Sequence, residues 1–152
     1  MKALELKRNI NTECLRIVGE RLDNIDENLK NLFLSKESET KSSAGDKYET
    51  GMAMIQNQEE LFKRQRQQTQ AVLDQLLKID PDKKCVVVEN GALITLNTGL
   101  YYISAGMGKI AIEGYDIFAL SLASPLGVAL KHRKSGDEIK FNDKKQSILK
   151  IT

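Results

Sequence analysis

Tryptophan is absent from this chain of 152 residues, and aromatic side chains make up only 5% of it. Any core must therefore be built mostly from aliphatic groups. No stretch approaches the roughly 18 consecutive apolar residues of a membrane span, and the charged, amphipathic start MKALELKRNI lacks the apolar run of a signal peptide. A cytoplasmic protein without a membrane partner is expected. Proline occurs twice and cysteine twice. Cys14 and Cys85 fall one in each half, which predicts reduced, partly buried thiols rather than a disulfide framework. A single histidine, His132, cannot complete a metal set with so few thiols, and its basic neighbours point to a surface position. The net charge of +2 is too small to suggest binding to nucleic acid by phosphate neutralisation. That total hides an asymmetry. Residues 1–80 carry 13 Lys/Arg against 14 Asp/Glu, whereas residues 81–152 carry 10 against 7, so the second half is mildly basic and suits an acidic surface.

What is present divides near Asp80-Pro81. Before that point Leu15, Val18, Leu22, Ile25, Leu29 and Leu32 recur in alternating steps of three and four, the spacing of a helix that packs along its length. Ile10, Cys14 and Ile17 widen the stripe near its start. A second helical pattern runs through Met52, Ile55, Phe62, Leu73 and Leu76, with a polar middle in FKRQRQQTQ. Each helix is predicted at about 30 residues, or roughly 45 Å. About ten residues rich in Ser, Gly and Lys join them, so an antiparallel helical hairpin over 1–80 is the simplest arrangement, its tip near 37–49. Asp80-Pro81 ends the helical pattern, because the residue before proline is pushed out of the helical region.

Beyond it the texture changes to short β-branched and aromatic runs, CVVVE, ALITL, LYYISA, KIAIEG and DIFALSL, punctuated by glycine turns. The GMG at 106–108 lies between strands and reads as a turn, not a phosphate loop. SPLGVALKHRK then reads as a short helix capped by Ser124, with Pro125 at its first position. No base is identifiable that would make Ser124 a nucleophile. DEIKF and QSILKIT supply two more strands. The expected fold class is α+β: a long antiparallel coiled-coil hairpin, then a small antiparallel sheet domain with one short helix over 81–152.

Acids gather around the hairpin tip at Glu37, Glu39, Asp46 and Glu49. A solvated turn collects charge, and acids are favoured at a helix start by the helix dipole. Alternatively, Asp46 and Glu49, three apart and on one helix face, can deliver oxygen ligands to a magnesium ion held elsewhere.

The order of parts, and the run SPLGVALKHRKSGDEIKF, resemble the Gre family of bacterial transcript cleavage factors. Ser124-Pro125-Leu126-Gly127, then Ala129-Leu130 and Ser135-Gly136-Asp137-Glu138-Ile139, are similar to that family's C-terminal signature. The resemblance spans the whole architecture and is specific over residues 121–141, more loosely over 41–54. It implies an FKBP-like C-terminal domain that docks at the rim of the RNA polymerase secondary channel. It also implies a coiled coil that enters the channel and an acidic tip that helps hold a second magnesium ion beside the polymerase active site. The polymerase then hydrolyses the RNA of a backtracked complex, so the chain is an accessory factor and not itself an enzyme. On this reading Asp46 and Glu49 are the metal-side acids. Tyr48, Ser124, Pro125, Leu126, Gly127, Lys131, Arg133, Lys134, Asp137 and Glu138 are the candidate polymerase contacts. No stably bound cofactor is expected, only the polymerase's magnesium, and the chain is expected to be a monomer.

The tip departs from the family pattern. That pattern approximates D-x-x-E-N-A-E-Y, and counting back from Tyr48 its acids fall on Lys41 and Ala44. Asp46 and Glu49 stand displaced around the tyrosine. The alternative reading is a secondary-channel regulator that does not promote cleavage and competes with factors that do. With few aromatics and no Trp, an apolar proline pocket and prolyl isomerase activity are not expected.

Overall fold

The computed structural model describes residues 2–41 and 45–152, with side chains outside 39–47. Two long helices come first, α1 (Ala3–Lys41) and α2 (Gly45–Leu77). A six-stranded sheet follows: β1 (Leu93–Leu96), β2 (Gly99–Ile103), β3 (Gly108–Ile112), β4 (Tyr115–Leu120), β5 (Glu138–Phe141) and β6 (Lys144–Ile151), with α3 (Pro125–Leu130) between β4 and β5. The α+β class read from the sequence is the one observed. Both helices run further into KSSAGDKYET than the composition suggested, α1 to Lys41 and α2 from Gly45. At the other end α2 stops at Leu77, three residues before Asp80. The chain leaves it through tight turns in which Lys78 N donates to Gln75 O and Ile79 N to Leu76 O.

By contact density the chain forms two compact units, residues 17–73 and residues 1–16 with 74–152. In the first, Val18, Leu22, Ile25 and Leu32 are buried from α1 and Ile55 from α2, while Leu29 is half-buried. The two helices are antiparallel neighbours. Arg66 Nε donates to Asp26 Oδ1 at 2.7 Å, and nearer the turn a groove is lined by Leu29, Phe33 and Lys36 from α1 with Glu59 and Lys63 from α2. The polar middle of α2 costs little, since only one narrow face is required to pack.

The second unit is built around the sheet, in the order β3-β4-β2-β1-β6-β5. Its hairpins use turns suited to the sheet's twist. Glu113 and Gly114 join β3 to β4 at φ 48° and 83°, and Asn142 and Asp143 join β5 to β6 at φ 51° and 61°. Positive φ at two successive residues is the geometry of two-residue hairpins, and Asn and Asp tolerate it better than most. Two expectations are corrected. The sheet is mostly but not wholly antiparallel, because β4 inserts between β3 and β2 and runs parallel to β2, with Leu100 opposite Ile117. CVVVE forms no named strand: only an isolated bridge pairs Val87 with Lys134, and Val86 is 80% exposed.

Central strand β1 reads LITL without alternation, because it is covered on both faces. One face carries the cluster of Val88, Ile94, Leu96, Ile103, Leu130, Ile139 and Ile148, closed by α3. Against the other lie the first turns of α1, where Leu6, Ile10 and Cys14 are buried with Tyr102. Tyr102 OH donates to Asn11 Oδ1 at 2.8 Å, which ties helix to sheet through a buried polar pair. Lys7 is buried completely. Its Nζ donates to Lys83 O at 2.6 Å and Thr152 O at 3.0 Å, and lies 3.9 Å from Cys85 Sγ.

Candidate functional site

Two places carry the residues singled out from the sequence. The first is the hairpin turn. Tyr48, Met52, Ile55, Glu59 and Phe62 of α2 are half-buried or buried and define the packed stripe of that helix. Position 49 lies about 100° round the helix from position 48, which puts it off the stripe, and Glu49 is exposed accordingly. Position 46 precedes position 49 by three residues on the same helix. The side chain of Asp46, like those of Glu39, Lys41 and Ala44, lies outside the described residues. Glu37 is exposed near the end of α1. Further from the turn, Lys63 Nζ lies 2.7 Å from Glu59 Oε1, and this hydrogen bond holds the Glu59 carboxyl below its usual range. Among the described residues no group of three or more His, Cys, Asp or Glu side chains is arranged to hold a metal ion. Two acids at the turn can supply ligands only to a metal that something else also holds.

The second place is the segment from Ser121 to Glu138. Ser124 is the N-cap of α3: its Oγ accepts from Gly127 N at 3.1 Å and donates to Ser121 O at 2.7 Å. Pro125 takes the first helical position, where its missing N–H is not needed. Gly127 is dictated by space. A Cβ there would fall 2.1 Å from Ser121 O and 2.7 Å from Leu122 Cα. Leu126 and Ala129 pack against the core cluster, and Leu130 is wholly buried. Val128, on the outward side of the same helix, is 64% exposed.

Beyond α3, Lys131, His132, Arg133 and Lys134 are all exposed. His132 adopts φ 63°, and the run is held against the chain at 87–88, with Val88 N donating to Arg133 O and His132 N to Val88 O. None of Lys131, Arg133 and Lys134 makes an ion pair among the described residues, so three cations face outward together on a fixed backbone. Asp137 turns back on its own loop instead, its Oδ2 accepting from Lys134 N at 2.8 Å to close the turn that Gly136, at φ 93°, makes possible. Glu138 opens β5, exposed and 4.0 Å from Lys145 Nζ.

The two thiols are buried and unlinked. Burial, aided by Glu13, pushes Cys14 up to about 12, and burial likewise raises Cys85. Both are therefore protonated and poorly nucleophilic near neutral pH.

Sequence reasoning missed Lys7 and the cleft around Ser104. The signal for Lys7 was present, because positions 7, 10, 11, 14 and 18 share one helical face and only the two polar members disguise it. No helix among the described residues is long and apolar enough to cross a membrane. Comparison with protein-family models finds no match, and comparison with curated proteins finds none.

Proposed function

We propose that the chain is a Gre-like transcription elongation factor. It docks on RNA polymerase through the unit that contains α3, inserts its helical hairpin in the secondary channel, and brings Asp46 and Glu49 near the catalytic magnesium. The observation that carries this reading is the combination of an acid-bearing turn on an antiparallel hairpin with the Ser124-Pro125-Leu126-Gly127 element in the sheet unit. A hairpin whose helices bury only a narrow stripe has little to do within its own fold beyond presenting its turn. Carboxylates there would complete the shell of a second metal, which stabilises the attacking and leaving oxygens of phosphodiester hydrolysis. The polymerase supplies the catalytic centre, and the factor supplies ligands. Lys131, Arg133 and Lys134 favour an acidic docking surface, reached at rates that fall with added salt.

A second reading is favoured by Lys41 and Ala44, which stand where the family pattern places its acids. On that reading the chain occupies the channel without promoting cleavage and excludes factors that do. Incubation of backtracked elongation complexes with the protein distinguishes the two: shortened RNA supports the first, and unshortened RNA with competition against an authentic cleavage factor supports the second. Absence of polymerase binding removes both.

A further inference from the structure

Where the chain leaves α2, residues 75–83 cross the loop at 90–91 and the ends of β2 and β4, and a cleft of about 470 Å³ opens between them. This volume falls within the range of small-molecule sites, about 300–1,000 Å³. Gly91 makes the crossing close, since a Cβ there would lie 3.1 Å from Ile79 Cγ2. We propose that this cleft binds a small organic anion.

Several polar groups in the cleft lining remain unused. Ser104 is buried to 4% exposure and its hydroxyl has no hydrogen-bond partner among the described residues. Ser121 Oγ accepts from Ala123 N at 3.1 Å, which leaves its O–H free to donate. The Lys78 ammonium and the Asn90 amide, both exposed lining groups, make no hydrogen bond or ion pair among the described residues. Lys83 is already matched by Glu89 at 3.2 Å, with the buried Lys7 ammonium 2.6 Å from its carbonyl oxygen. Against these donors the cleft offers one carboxylate, Asp80, whose Oδ1 is taken by Asp82 N at 2.9 Å. A lining whose spare capacity is mostly donor, with one unpaired cation, selects an acceptor-rich, negatively charged head. Ile79, Leu122 and Ala123 line the same cleft with apolar surface, which suits a short aliphatic body. Phosphate and carboxylate heads share this chemistry.

The inference does not rest on the polymerase reading. It is tested by following backbone amide shifts of the full chain as butyl phosphate, butyrate and, as the charge-reversed control, butylamine are added at low ionic strength. Saturable shifts centred on Ser104, Ser121 and Ala123 with either anion are expected, and the stronger of the two identifies the head group. Lys78→Gln, at an exposed position, is expected to weaken the anion by about tenfold, and Asp80→Asn to strengthen it. No saturable shift, an equal response to butylamine, or unchanged binding in Lys78→Gln would overturn the proposal.

Discussion

At the scale of single residues, the sheet unit depends on polar groups buried where the sequence suggests an apolar stripe. Tyr102 and Asn11 are 0% and 6% exposed, and each is the other's partner. Tyr102→Phe would leave the Asn11 oxygen buried and unpaired, so a loss of about 1–3 kcal/mol is expected in urea unfolding. A change under a few tenths of a kcal/mol would mean that Asn11 finds another partner. Lys7 gives a prediction with a definite sign. Desolvation lowers its pKa below the ordinary 10.5, against the opposing pull of Cys85, Asp80 and Glu89. The unfolded chain therefore binds this proton more tightly than the native one. In the window below 10.5 the group's contribution to stability must rise with pH, and it levels off once both states have lost the proton. Lys7→Met should remove that rise, seen as a difference between the slopes of unfolding free energy against pH for the two proteins. Parallel slopes would show that Lys7 titrates alike in both states. The raised Cys85 pKa acts in the opposite direction in the alkaline range, and because Lys7 itself lowers it, the slopes are compared below that range, near neutral pH.

At the scale of elements, α3 is specified by steric and capping demands that are legible in SPLG. Ser124, Pro125 and Gly127 each have a structural task, and Gly127 has the least freedom, with Ser121 O at 2.1 Å from where a Cβ would stand. Gly127→Ala must displace α3 or the chain at 121–122, at a cost of about 1–3 kcal/mol or more. Ser124→Ala removes only a cap, at about 1 kcal/mol. Thermal melts of the two variants should thus rank Gly127→Ala well below Ser124→Ala, and the reverse order would contradict the packing described. The long helices, β1 to β6 and α3 were all readable from periodicity and turn residues. The parallel pairing of β2 with β4 was not, because alternation marks a strand and its buried face but not its neighbour. CVVVE illustrates a second limit. β-branched residues favour a strand, yet here one bridge to Lys134 and burial of Cys85 and Val88 satisfy the segment, and Val86 is left to solvent.

At the scale of the whole molecule, the heptad spacing of α1 gave no sign that its first turns belong with the sheet unit while its later turns belong with α2. One continuous apolar stripe serves both, with Leu6, Ile10 and Cys14 in one unit and Val18, Leu22, Ile25 and Leu32 in the other. Of the candidate site, the capping roles of Ser124 and Pro125 and the exposure of Lys131, Arg133 and Lys134 were legible. The hydrogen bond of Asp137 back to Lys134 N was not, since it depends on the positive φ at Gly136 that shapes the loop. The central claim is that the hairpin turn acts through carboxylates at 46 and 49. Its most direct test is RNA cleavage in stalled, backtracked polymerase complexes with the wild-type chain and with Asp46→Ala combined with Glu49→Ala. The account predicts shortened RNA with the wild type, and loss of shortening in the double variant at undiminished polymerase binding. Wild-type protein that binds polymerase but leaves the RNA intact, or a double variant that still shortens it, would contradict the claim.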